Sequence, residues 1–484
     1  MATSKVHITL KVVFHKQEQR VLFAEASSDF VDILFSFLTL PMGTIVRLLS
    51  KHPKTSRPPG IGSLNNLYRS IANLDAKYFT SGACKDILLN TRNSAADECE
   101  NLKINIDDKP VEYFTCEDME CTERSHTPSF SLYKGVVCKN CAKMLKKNAR
   151  YLNGTRSDER GVFVEPAESF VITDDLHVIP NIPASTIAIL ENSGFTDFGV
   201  LKEKTFEIGY TEMLDLLKYS ILSKTPLTNM FLRKNNRIMN NLVQTFNCPI
   251  KTDGINSFKN MTVKVLVQKS SKKILLAHCT EDFIDFLFSF LAVPLGRVIS
   301  MLSKNNEPAL CVQNIHQSVS ELKVGEFLKS QEKKEMLICP QLSMLYLFSK
   351  QLFKDDKFPK LYGSPSTLKE YYYLSSYDDS SSREMILANP TGEKGFLKGP
   401  EKFMVTDDLV VTLFTTMSCL KYVQSCGVPP NDSEEQVISI GTKEAVSLLT
   451  ASLVSTSVLT NGLKHLILSK PKTERLVKKL KLDN

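Results

Sequence analysis

Four cysteines in this chain are spaced as metal ligands are spaced. Four residues separate Cys116 from Cys121, two separate Cys138 from Cys141, and sixteen lie between the pairs. Each close pair can offer two thiolates from one tight turn, and two such turns complete the tetrahedral shell that zinc takes in structural sites. The second pair has the ideal spacing and the first is at its long end. The runs ahead of them, Val111 to Phe114 and Phe130 to Val137, read as the strands of a zinc ribbon. The expected cofactor is one structural zinc ion on Cys116, Cys121, Cys138 and Cys141, with His126 the nearby group able to replace a thiolate. Four thiolates leave no position for water or substrate, so the expected role is architectural.

A second motif with chemical potential is Thr173-Asp174-Asp175-Leu176, which returns as Thr406-Asp407-Asp408-Leu409. Paired acids can bind metal or act as acid and base, but neighbours on a strand point to opposite faces. Asp also bonds its own backbone in turns, so the favoured reading is a structural turn between two strands. Phosphate-cradling, dinucleotide, H-E-x-x-H and G-x-S-x-G motifs are all missing from the sequence. The reading is therefore non-enzymatic.

The elements that must position these residues come in two sets. DFVDILFSFLTLPMGTIVRLLSK (29–51) aligns without gaps to DFIDFLFSFLAVPLGRVISMLSK (282–304), with 13 of 23 positions identical. Flanking stretches match in the same order: 6–26 with 261–279, 170–178 with 403–411, and 206–232 with 437–463. This pattern is a duplication. Each unit opens with two apolar runs around a polar turn, such as Lys16 to Gln19, which signals a hairpin. A nearly all-apolar helix follows, with Ser27 and Thr280 at the N-cap and Asp29 and Asp282 in the first turn. Pro41 and Pro294 then break the chain before a second helix. Later, a short strand runs into Gly209 or Gly441 and an amphipathic helix, and Thr225-Pro226 opens a last one.

The predicted fold class is thus α+β, as two tandem hairpin-plus-helices units. Residues 1–250 form the first, with the zinc knuckle inserted at about 108–150, residues 258–470 the second, and 471–484 a basic tail. The second unit carries KEYYYLSSYDDSSSREM (369–385) where the first has its knuckle, with no cysteine. The formal net charge is +7, of which residues 470–484 hold six Lys or Arg against Glu474 and Asp483, so the body is nearly neutral. No apolar segment reaches the ~20 residues that cross a bilayer. The start, Met1 to Leu10, has no apolar secretory core, so the expected location is intracellular, cytoplasmic or nuclear. Without secretion, the eight cysteines outside the pairs are expected to be buried thiols.

The stretches VLFAEASSDFVDILFSFLTLPMGTIVRLL, GSLNNLYRSIANLD, the two cysteine pairs, FVITDDL and the segment from Gly209 to Leu232 resemble the plant family catalogued as domain of unknown function 674. Tandem units are usual in that family and no activity is assigned to it, so the resemblance implies an architecture and no reaction. Relatives often carry a C-x-C-G second knuckle, whereas here Cys138-Lys-Asn-Cys141 is followed by Ala142.

Three functions are expected in order. First stands a protein-interaction or scaffold module with protein partners. Second is nucleic-acid binding through Lys139, Lys143, Lys146, Lys147 and Arg150 with Tyr113, Phe114 and Tyr133, opposed by the acids Glu117, Asp118, Glu120 and Glu123 on the same ribbon. Third is an enzyme of unrecognised type using Asp174 and Asp175.

Overall fold

The computed structural model describes residues 6–51, 61–152, 161–166, 168–192, 198–232, 260–302, 310–342, 360–366, 372–375, 378, 382–391 and 395–468. The expected boundary at 247–258 and the basic tail lie outside the described residues. The architecture is mixed α+β, with helices packed against three sheets.

The hairpin lies where the alternation places it. Strands β1 (Ile8–His15) and β2 (Arg20–Ser27) pair antiparallel, with a register shift between Val13 and Phe14 and Gln19 at φ 47° in the turn. They form the centre of a five-stranded antiparallel sheet with β7 (Ser169–Thr173), β8 (Val178–Pro180) and β9 (Leu201–Ile208), in the order β8-β7-β2-β1-β9. A second sheet has the same order, built from β10 (Met261–Gln268), β11 (Ile274–Thr280), β15 (Lys402–Thr406), β16 (Val411–Leu413) and β17 (Ser433–Ile440). Its hairpin repeats the register shift, between Leu266 and Val267, and the positive φ, at Lys272.

The helices Ser28–Ser36 and Glu281–Ser289 leave β2 and β11 and are buried along almost their whole length. Ser27 and Thr280 occupy the N-cap positions, but neither side chain makes the capping hydrogen bond. Both residues also end a strand: Ser27 faces Ser169 and Thr280 faces Lys402 in their ladders. Carboxylates are buried here too. Asp32 accepts the amides of Val162, Phe163 and Val164 at 2.6, 2.7 and 2.9 Å, and Asp285 accepts that of Leu397 at 3.1 Å. A carboxylate with several backbone donors fixes a loop as firmly as a short ladder.

The two halves are knitted reciprocally at the prolines that end these helices. Pro41 and Pro294 face each other in an antiparallel bridge, with Met42 N–H donating to Val293 at 3.0 Å and Leu295 N–H to Leu40 at 2.9 Å. Thr80 donates to Phe396 at 2.8 Å, and Lys329 donates to Phe163 at 3.0 Å. One continuous hydrophobic core runs through both halves, with Phe30, Phe35 and Phe37 beside Phe283, Phe286 and Phe288 all fully buried.

The third sheet has seven strands in the order β13-β12-β14-β4-β3-β6-β5. From the first half come β3 (Tyr113–Cys116), β4 (Ser129–Ser131), β5 (Val136–Val137) and β6 (Met144–Tyr151). From the second come β12 (Leu361–Pro365), β13 (Tyr372–Ser375) and β14 (Arg383–Leu387). Parallel pairing of β14 with β4 and of β13 with β6 joins the two groups. The expected single strand from Phe130 to Val137 is two strands, because Gly135 turns the chain at φ 83° while Tyr133 is drawn into the core.

Candidate metal centre

Each cysteine pair is set by a local device. Cys116 ends β3, and Cys121 lies in the short helix Met119–Arg124, whose N-cap Asp118 accepts the Cys121 amide at 3.3 Å. Cys138 and Cys141 lie in the turn between β5 and β6. There the Cys138 amide donates to Lys143 at 2.7 Å, and the Ala142 amide donates to Cys138 at 3.0 Å. Ala142 takes φ 59°, a left-handed conformation that glycine adopts at less cost. Asp118 ties the two turns together, since its other oxygen accepts Lys143 Nζ at 2.8 Å.

These devices bring the four sulfurs within 4.8 Å of one another. Cys116 Sγ is 3.4 Å from Cys141 Sγ, and Cys121 Sγ is 3.9 Å from Cys138 Sγ. A tetrahedral ion with sulfurs about 2.3 Å from its centre has sulfur–sulfur edges of about 3.8 Å. The donor set and its spacing therefore fit a four-thiolate metal site. A disulfide needs about 2.05 Å, and all four are free cysteines. Cys116 and Cys138 are buried and Cys121 and Cys141 partly so, which places the site just under the surface. His126 is exposed and is not among the converging groups.

Crowded thiols resist ionisation together. Burial, with neighbouring sulfurs adding to it, pushes the Cys116 thiol up to about 12 and raises Cys121 likewise. Burial opposes ionisation at Cys138 as well, but the backbone amides of Asn140 and Cys141 donate to its sulfur and hold it below the ordinary thiol value. A divalent cation reverses this balance, because coordinated thiols are held deprotonated.

Of the groups expected to meet nucleic acid, Lys139 and Arg150 are exposed, while two lysines are paired with acids and the three aromatics are buried. Lys143 pairs with Asp118, and Lys146 with Glu117 at 3.3 Å. Tyr113, Phe114 and Tyr133 are buried, at 8, 5 and 2 % exposure, Phe114 and Tyr133 in the main core and Tyr113 in a smaller cluster on the opposite face of β3. On the far side of the first turn, the Arg383 guanidinium, from the second half, donates to the carbonyls of Glu123 and Ser125. The first cysteine turn and the joint between halves are thus neighbours.

The two acid pairs stand in matching turns, each acid with its own partner. Leu176 and Leu409 take φ 69° and 62° in matching tight turns, with the Leu176 amide donating to Thr173 and the Leu409 amide to Thr406. The first acid of each turn anchors its own half: Asp174 accepts Thr228 N and Oγ1 at 2.8 and 2.7 Å, and Asp407 accepts Thr460 N at 2.8 Å. The second acid reaches across. Asn314 Nδ2 donates to Asp175 O and Oδ2 at 2.8 and 3.1 Å, and Asn66 Nδ2 to Asp408 O and Oδ2 at 2.9 and 3.0 Å. Sequence reasoning missed both asparagines, although Asn66 stands within the quoted GSLNNLYRSIANLD. It also placed the unpaired cysteines too uniformly inside: Cys84, Cys99, Cys279 and Cys311 are buried, but Cys339 and Cys426 are exposed.

Among known proteins, one family model matches residues 4–443, and its description is "Protein of unknown function (DUF674)". No curated protein and no solved structure matches the chain. Among the described residues, no helix is long and apolar enough to cross a membrane.

Proposed function

We propose, for a chain that belongs to this family of unknown function, a non-enzymatic scaffold role in which two tandem units are held in one arrangement by a structural zinc ion. The observation that carries this reading is the convergence of Cys116, Cys121, Cys138 and Cys141, with facing sulfurs at 3.4 and 3.9 Å. Bound there, zinc would close the shell with four thiolates and supply rigidity. Its influence would reach past the knuckle, because β4 and β6 pair with β14 and β13 of the other half. The shared strand order of the two five-stranded sheets supports the tandem reading, and the free thiols suit a reducing compartment.

The binding surface is best assigned to protein partners. Pairing of Lys143 and Lys146 with acids removes two of the cations that phosphate would need, and separate partners for Asp174 and Asp175 weaken an acid–base role.

Metal analysis of purified wild type and Cys138→Ser tests the centre. One zinc per chain is expected in the first and none in the second. A wild type without metal after zinc-supplemented expression, or a variant with unchanged metal, would end the reading; one iron per chain would keep the site and change the ion. For the scaffold role, affinity capture on the full chain is expected to return a defined protein set. Turnover of a metabolite with no retained partner would overturn it, and binding to nucleic-acid probes that falls steeply with salt would favour the alternative.

A further inference from the structure

A cavity of about 540 Å³ lies where the two halves meet beside the seven-stranded sheet. One wall is the aromatic face of that sheet, with Tyr113, Phe130 and Tyr151, and the opposite wall is the helix Gln331–Ile338, with Glu332 and Met336. Asp97 lines it from the first half. Its volume is in the range of small-molecule sites, and its make-up, mostly apolar with a few charged groups, is theirs too.

The charges select the ligand. Asp97, Glu332 and Glu335 face a single guanidinium, that of Arg92, and Arg92 is directed elsewhere: it lies 5.4 Å over the Tyr133 ring and donates to the Pro110 carbonyl. Asp97 is hydrogen-bonded by the Tyr113 hydroxyl, and burial, with Glu100 and Glu98 nearby, pushes its carboxyl up to about 6. Lys333 is engaged at 2.6 Å by Glu98, outside the cavity lining. Among the described residues, neither Asp97 nor Glu332 has a cationic partner. A half-buried carboxylate without a counter-charge attracts one from solution. The rings add to this: Tyr113 and Tyr151 stack with centroids 5.3 Å apart, presenting a π-surface that favours cations over anions.

We propose that this cavity binds a small organic amine, with its ammonium at Asp97 and its apolar body against Tyr113 and Phe130. Because the walls come from both halves, the site exists only in the assembled chain, and its occupant would bridge the same joint that the zinc knuckle borders.

Calorimetric titration of the full-length protein at pH 7 tests this with three probes of one shape: tyramine, 4-ethylphenol and 4-hydroxyphenylacetate. Tyramine is expected to bind with a Kd of about 0.1–1 mM, in keeping with its few atoms. The neutral phenol should bind at least about fivefold more weakly and the acid more weakly still. Asp97→Asn should weaken tyramine about tenfold and leave 4-ethylphenol unchanged. Should Asp97→Asn fail to fold, Glu332→Gln, at an exposed helix position, should still weaken tyramine about two- to fivefold. Equal affinity for all three probes, loss of 4-ethylphenol in parallel with tyramine in the variants, or no heat from tyramine up to about 10 mM would overturn the assignment.

Discussion

Replacing Asn314 by alanine isolates what holds the two halves in register. The Asn314 side chain is 1 % exposed, and its amide donates to both the carbonyl and the carboxylate of Asp175 on the other half. Truncation leaves the Asp175 carbonyl short of a donor, while the Asp175 carboxylate, its side chain 49 % exposed, can turn to water. At about 1–2 kcal/mol for the bond to the carbonyl and less than about 1 kcal/mol for the half-exposed one, the expected cost is about 1.5–3 kcal/mol. Asn66, which does the same for Asp408, is only partly buried, so Asn66→Ala should cost about 1–2 kcal/mol. The chain has no tryptophan, so urea unfolding is best followed by circular dichroism together with tyrosine emission. A shared core predicts one transition that both substitutions move, with effects adding in the double variant to within about 0.5 kcal/mol. Asn314→Asp sharpens the test by setting a second carboxylate against Asp175, so its deficit should shrink as pH falls toward 4. The reasoning fails if Asn314→Ala shifts stability by less than about 0.5 kcal/mol, or if the halves unfold in two transitions and each variant moves only one.

Further expectations concern the metal turn and a buried acid. Removing the ion with a chelator should destabilise wild type by at least about 3 kcal/mol while leaving Cys138→Ser unmoved, as read from urea midpoints; equal sensitivity of the two would count against the site. Ala142→Gly should stabilise by about 0.5–1 kcal/mol, since glycine relieves the left-handed φ of 59° at some entropic cost, and a lower melting temperature would contradict this. Burial raises the Asp174 carboxyl to about 6 from 3.8, so folding takes up a proton between these values, and this group's share of stability declines as pH rises through the window and is level above it. Asp174→Asn lacks that titration, so its stability relative to wild type should improve by about 2–2.5 kcal/mol between pH 4 and 7; a difference that does not change with pH would refute it.

What was legible in the sequence was whatever a short-range period encodes. The hairpin around Lys16 to Gln19, the buried helix after it and the break at Pro41 each follow from alternation, apolar density or a fixed φ, and each stands in place. The cysteine spacing likewise identified groups that meet in space. Long-range pairing was not legible. Nothing in the Tyr-rich run before Ser375 says that β13 will lie against β6 more than two hundred residues earlier, since strand propensity names no partner. Asn66 and Asn314 were missed for a related reason: a helical asparagine is ordinary until the carbonyl it serves is known. Ser27 and Thr280 stand at the N-caps the sequence marks, and only their side-chain capping bonds are missing.

The seven-stranded sheet has a consequence for biosynthesis. Its β4 and β6 leave the ribosome long before β13 and β14 exist, so during translation they present open hydrogen-bonding edges to the crowded cell. An ion captured early by the cysteine loops would stiffen that nascent ribbon and shield it from wrong pairings until its late-made neighbours arrive. On the proposed zinc reading, starvation for the metal should therefore reveal itself first as aggregation of newly made chains, before any loss is seen in chains already folded.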